Sequence, residues 1–151
     1  MKASQALPRR ILLTMVGAGV IAPLASQGAR AASGPSAEMT KILAGRTPKV
    51  GGLRLDVPAI AENGLVVPLN VDADSPMTDA DFIRAIHVFA EGNPNPLVAT
   101  FHFTPACGRA AASIRIRLAQ TQNVVAIAET SGGELRIAQG EVKVTIGGCG
   151  G

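Results

Sequence analysis

The chain has 151 residues, enough for one domain, and with four Phe, no Trp and no Tyr its core must be built from aliphatic side chains. The first 31 residues carry four of the 14 basic residues and none of the 11 acidic ones, so the net charge of +3 becomes −1 without them. No basic patch interleaved with aromatic residues remains, which argues against nucleic-acid binding.

Residues 1–31 have the pattern of an export signal. The pair Arg9-Arg10 precedes a short apolar run that begins at Ile11, and Ala29 and Ala31 supply a small-x-small cleavage pattern. The run is short for a membrane span, which takes about 20 residues, and Gly and Pro interrupt it. Adjacent arginines predict the twin-arginine route, with a general-secretion signal as the alternative. Either route predicts a mature protein in the bacterial periplasm, outside the membrane.

The domain that follows, residues 32–146, is predicted to begin with a short helix over residues 37–44, in which Met39, Ile42 and Leu43 share one face. Short apolar runs separated by turn residues then predict about seven strands, the pattern of an all-β antiparallel sandwich. Eight candidate runs for these strands lie at residues 53–57, 65–71, 82–89, 97–103, 113–118, 124–128, 135–138 and 142–146.

One of these runs, residues 82–89, is apolar on both alternating faces. This favours a strand that is buried on both sides, and a helix beginning at Thr78 is the alternative. Residues 92–96 contain Gly, Asn and Pro in close succession and predict a loop.

The tail, residues 147–151, places Cys149 between the pairs Gly147-Gly148 and Gly150-Gly151. Glycine has no Cβ, so this segment is slim, and five residues extend about 17 Å at most. A thiol on a flexible, narrow arm can enter a pocket that a bulkier segment could not. The pattern therefore predicts a covalent carrier with its cargo on the Cys149 sulfur, and the alternative is a frayed terminus with an incidental cysteine.

The other cysteine, Cys107, lies in a predicted loop, and we expect a small, partly buried residue there. An internal disulfide between Cys107 and Cys149 is the alternative, since an exported protein with two cysteines often forms one. His87 and His102 lack metal-ligand spacing and are expected to be ordinary core or surface residues. The acids Asp72, Asp74, Asp79 and Asp81 predict a solvated segment, so no metal site is expected.

Three stretches carry a family resemblance. They are the ending from Glu141 to Gly151, the stretch from Phe89 to Pro96, and the stretch from Ile116 to Ala126. The chain resembles SoxY, the sulfur-carrier subunit of the periplasmic thiosulfate-oxidising (Sox) system, over most of its length. Cys107 is a departure, because the pattern of this family needs only the tail cysteine.

The resemblance implies an immunoglobulin-like sandwich and a carrier that is not itself an enzyme. It implies that Cys149 accepts sulfur from thiosulfate or sulfide as a covalent adduct, with no other cofactor. It also implies a SoxZ-like β-sandwich partner, a haem-containing conjugating enzyme, a sulfate-releasing hydrolase and a sulfane dehydrogenase. The rival interpretation is an exported binding or adhesion sandwich whose tail cysteine forms a structural or intermolecular disulfide.

Overall fold

The computed structural model describes residues 35–147, which form one short α-helix, one short 3-10 helix and nine strands. Helix α1 spans Ala37–Leu43, and a short 3-10 helix spans Pro105–Cys107. The strands are β1 (Lys49–Val50), β2 (Leu53–Asp56), β3 (Ile60–Asn63), β4 (Val67–Ala73), β5 (Ile83–Ala90), β6 (Leu97–His102), β7 (Ala110–Ile116), β8 (Gln122–Thr130) and β9 (Leu135–Ile146).

In the described part of the chain, helices lack the length and apolar character needed to cross a membrane.

Helix α1 begins and ends with standard caps. The Ser36 hydroxyl accepts a hydrogen bond from the Met39 N–H at 3.2 Å, and Ala44, with φ 46°, ends the helix in a left-handed conformation. The apolar face packs on the outer side of one sheet, where Met39 is buried beside Phe89. The predicted helix and its apolar face are therefore confirmed.

Two sheets form the sandwich. The larger has the order β1-β9-β8-β5-β6, with β3 also paired to β9, and the smaller has the order β2-β4-β7. β1 and β3 run parallel to β9, and the other pairs are antiparallel. The predicted all-β sandwich is confirmed, and it is antiparallel as predicted except where β1 and β3 pair with β9. Its immunoglobulin-like topology stays a prediction.

The core between the sheets is aliphatic. Alternate residues of β4 point inward, because the strand period is two, and Leu69 is fully buried there. Ile86 and Val88 of β5 face the same core, while Phe89 points to the opposite side and packs under α1. Residues 82–89 are therefore a strand covered on both faces, as predicted, and the alternative of a helix is wrong.

Two differences from the predicted strands have physical causes. The predicted strands 135–138 and 142–146 are one continuous strand, β9, which also pairs along most of its length with β8. β1 and β3 are short and mainly exposed, so they lack the apolar alternation that marks a half-buried strand. They form because β9 offers an outer edge with backbone groups to satisfy.

Candidate functional site

Most of the predicted site residues lie outside residues 35–147, and Gly147 is the last described residue. The structure therefore describes the base of the tail. The site residues that lie outside the described range are Cys149, Gly148, Gly150, Gly151, Arg9, Arg10, Ala29 and Ala31.

The base of the tail is the end of β9, and hydrogen bonds hold it on both sides. The Val144 N–H donates to the Thr121 hydroxyl at 2.9 Å. The carbonyl of Ile146, the last residue of β9, accepts from the Gly64 N–H at 2.8 Å. The Gly64 carbonyl in turn accepts from the Leu118 N–H at 2.8 Å. The turns after β3 and β7 therefore fix the point from which the tail departs.

Gly147 itself lies directly against the turn after β7. A Cβ added to Gly147 would overlap the carbonyl oxygen of Ala119. This position therefore requires glycine for a close backbone approach as well as for slimness.

A buried polar network holds that turn in place. Gln122, only 7% exposed, accepts from the Gly92 N–H at 2.7 Å and donates through Nε2 to Asn93 Oδ1 at 2.9 Å. Asn93 Oδ1 also accepts from the Ala119 N–H at 3.0 Å, and its Nδ2 donates to the Arg117 carbonyl at 2.8 Å. We call Asn93 and Gln122 the amide bracket, because together they join the loop after β5 to the turn beside Gly147.

The bracket joins two stretches that were noted in the sequence. Asn93 belongs to the stretch 89–96, and Gln122 belongs to the stretch 116–126. They are far apart in the chain, but the pairing of β5 with β8 brings both next to the base of the tail. Neither side chain stood out individually in the sequence, so this part of the site was missed.

Cys107 lies at the opposite end of the sandwich. β7 separates its loop from the turn beside Gly147, and a strand of this length spans about 20 Å. Cys149 follows Gly147 by two residues, so their Cα atoms lie within about 7 Å of each other. A disulfide needs Cα atoms within about 7 Å. This separation argues against a bond between Cys107 and Cys149 of one chain, and that alternative stays untested because Cys149 lies outside the described residues.

Cys107 is exposed, so the expectation of a partly buried residue is wrong. It ends the short 3-10 helix, where a hydrogen bond from the Thr104 backbone, together with the Thr104 hydroxyl, lowers the pKa of its thiol. The Thr104 Oγ1 and Cys107 Sγ atoms are 3.7 Å apart. The thiolate is the reactive form of cysteine, and a lower pKa raises the fraction of thiolate. Cys107 is therefore an exposed thiol that can react independently of the tail.

We expect iodoacetamide to alkylate Cys107 in the folded protein near neutral pH, because the thiol is exposed and its pKa is lowered. Peptide mass spectrometry after a short exposure measures this directly. A Thr104→Ala variant should react more slowly at a fixed pH, since it removes the hydroxyl contact that helps to lower the pKa. Protection of Cys107 in the folded wild-type protein would contradict the assignment.

The two histidines are closer than their sequence spacing indicated. β5 and β6 pair Ala85 with His102 and His87 with Thr100, which puts both histidines on one face as diagonal neighbours. His87 Nδ1 lies 3.0 Å from the Thr100 hydroxyl, and burial lowers the pKa of His87.

Metal-binding geometry is not found between residues 35 and 147, where no three His, Cys, Asp or Glu side chains cluster to hold an ion. Among the acidic residues noted in the sequence, Asp72 accepts from Arg54 and Arg109, and the Arg109 hydrogen bond lowers the pKa of this carboxyl.

Comparison with known proteins identifies the family. A family model described as "Sulfur oxidation protein SoxY" matches residues 39–149. No curated protein sequence matches the chain significantly. The structure is similar to the sulfur carrier protein SoxY from Chlorobium limicola f thiosulfatophilum, with 34% identity, a TM-score of 0.56, and coverage of 70% of this chain and 94% of that one.

Other solved structures are similar in fold alone. A superoxide reductase (neelaredoxin) from Ignicoccus hospitalis is 21% identical with a TM-score of 0.51, covering 62% of this chain and 80% of that one. A hypothetical protein from Pyrococcus horikoshii OT3 is 15% identical with a TM-score of 0.53, covering 64% of this chain and 96% of that one. The match over residues 39–149 and the likeness to a solved sulfur carrier lead to one conclusion: the chain belongs to the SoxY family of sulfur oxidation proteins.

Proposed function

We propose that the chain carries thiosulfate-derived sulfur on Cys149 and presents it to the enzymes of the Sox system. The match to the SoxY family, which extends as far as Cys149, is the observation that carries this proposal. The base of the tail supports it, because Gly147 sits against a turn held by hydrogen bonds while the cysteine follows two residues later. The chain acts as a substrate carrier, and the enzymes that process the cargo are other proteins.

In the proposed cycle, a haem-containing enzyme oxidatively joins thiosulfate to Cys149 as an S-thiosulfonate. A hydrolase then releases sulfate, and a dehydrogenase oxidises the sulfane sulfur that remains. Sulfide is a second source of sulfur for the same thiol: the haem-containing enzyme accepts the two electrons that are lost when sulfide and the thiol join as a persulfide, and two protons are released. A SoxZ-like β-sandwich subunit forms a heterodimer with the chain, and the mature protein works in the periplasm after twin-arginine export.

Activation of the Cys149 thiol comes from the partner in this proposal. Lys143 is the nearest basic residue in the sequence, and three residues without charge separate it from the tail. A free thiol has a pKa near 8.5, so only a small fraction is thiolate at neutral pH. Positive charge in the enzyme's active site would raise that fraction when the tail enters.

Intact mass spectrometry of the mature protein, purified from its native periplasm without reductant, tests the proposal. We expect thiosulfate or sulfur adducts on the peptide that contains Cys149, and their loss on reduction. Cys149→Ser should carry no reducible adduct at this peptide, while Cys107→Ser should retain it. Native protein that carries no sulfur and runs as a disulfide-linked dimer would instead favour a structural role for the tail cysteine.

A further inference from the structure

We infer that three exposed apolar residues beside Gly147 form the docking surface for the hydrolase that releases sulfate from the adduct on Cys149. We call Leu65, Val66 and Ile146 the apolar rim. The inference rests on the proposed function and adds to it the place where the partner enzyme makes contact.

The rim is placed by the pairing of β3 with β9. Asn63 lies opposite Ile146, and the Gly64 N–H bonds to the Ile146 carbonyl. Leu65 and Val66 therefore continue directly from the residue that is bonded to the end of β9. Leu65 is 44% exposed, Val66 58% and Ile146 67%. Three large aliphatic side chains thus face solvent where the tail departs.

The short distance from Gly147 to Cys149 indicates which kind of partner contacts the apolar rim. Cys149 is two residues beyond Gly147, so its Cα lies within about 7 Å of Gly147. An enzyme that reacts with the Cys149 sulfur must bring the mouth of its active site to this distance. Its surface around that mouth must then contact the residues around Gly147, which include the rim.

The apolar character of the rim and its position at the base of the tail indicate what kind of protein binds there. Aliphatic side chains gain by leaving water, so they fit an active-site entrance that is bordered by apolar side chains. A permanent subunit or a second copy of this chain on the same surface would cover the base of the tail and obstruct Cys149. The occupant is therefore an enzyme that binds transiently, with a narrow entrance that has an apolar border.

The test compares Val66→Asp with Val50→Asp, both made in the Cys107→Ser background. Val50 offers a matched control because it is an exposed valine on β1, 91% exposed, paired with Ile137 far along β9 from Gly147. Tetrathionate loads each variant without an enzyme. The Cys149 thiolate attacks the central S–S bond, forms Cys149–S–S–SO₃⁻ and releases thiosulfate, which takes the electron pair of the broken bond.

A purified Sox hydrolase that releases sulfate is the probe. Water attacks the sulfonate sulfur of Cys149–S–S–SO₃⁻, sulfate leaves, and two protons are released to the solvent. The electron pair of the broken S–S bond stays on the persulfide sulfur, so no outside oxidant is needed. We expect Val66→Asp to raise the KM for the loaded carrier about tenfold or more with little change in kcat, as for a docking contact. Val50→Asp should match the parent, and equal urea midpoints will show that all variants are folded.

Three other results would overturn the inference. Equal KM values for Val66→Asp and Val50→Asp would remove the rim from docking and leave the carrier function intact. A lower KM for Val66→Lys, made as a third variant, would show that charge rather than apolar contact governs docking. Failure of the hydrolase to release sulfate from the loaded parent would reject the proposed function itself.

Discussion

Gly147→Ala should slow the release of sulfate from the loaded carrier by about tenfold to 100-fold, the usual effect of misplacing a reacting group by about 1 Å. The added Cβ would overlap the Ala119 carbonyl oxygen, and this is a backbone atom that cannot rotate away. Gly147 follows the last residue of β9, so the backbone relieves the overlap by shifting the tail. The stability cost should therefore be below the roughly 1–3 kcal/mol of overpacking a closed core.

Gly132→Ala is the matched control for this prediction. Its Cβ would meet only the Thr130 hydroxyl at 3.9 Å, an ordinary contact, and it lies at the other end of the sandwich. The two variants should have similar urea midpoints, and only Gly147→Ala should have a lower kcat. If both variants turn over like wild type, the close approach of Gly147 to Ala119 has no role in positioning the tail.

Gln122→Glu should destabilise the domain by about 1–3 kcal/mol, the cost of leaving buried polar groups without partners. The substitution keeps the shape of the side chain but replaces the Nε2 donor with an acceptor. That acceptor would face Asn93 Oδ1 and the Gln120 carbonyl, which now receive hydrogen bonds at 2.9 Å and 3.1 Å. Loss of the hydrogen bond from Gln122 to Asn93 should also loosen the turn at Ala119 and so slow processing of the cargo.

Gln139→Glu makes the same change in charge at an exposed position of β9 and should leave stability close to that of wild type. Urea denaturation of both variants gives the difference in free energy of unfolding. Asn93→Ala should resemble Gln122→Glu, and the double variant should cost less than the sum because both residues belong to one network. Full additivity would mean that the two amides act independently.

The fold could be predicted where apolar residues alternate with polar ones. β2, β4 and β7 follow that pattern, and Met39, Ile42 and Leu43 marked the face of α1 that packs on the sheet. β1 and β3 could not be found this way, because they are short and exposed and depend on the edge of β9. Their pairing is a property of the tertiary structure, which local sequence does not encode.

The candidate site was predictable only in part. A cysteine between glycine pairs stands out in the sequence, and the tail stays a prediction made from those five residues because all but Gly147 lie outside the described range. The amide bracket joins Asn93 to Gln122 across two loops, and only the strand order brings them together. The diagonal placement of His87 and His102 arises in the same way, from the register of β5 and β6.

If Cys149 carries sulfur as proposed, the position of Cys107 at the far end of the sandwich protects that cargo from discharge within the molecule. A thiolate that reached Cys149–S–S–SO₃⁻ would displace thiosulfate and leave a disulfide, so sulfur would be lost by an internal reaction independent of concentration. The length of β7 separates Cys107 from the base of its own tail, where Gly147 is the last described residue. This loss must therefore take place between two molecules, and its rate falls as the carrier is diluted. A reactive thiol can thus remain on the surface while each molecule keeps its own cargo.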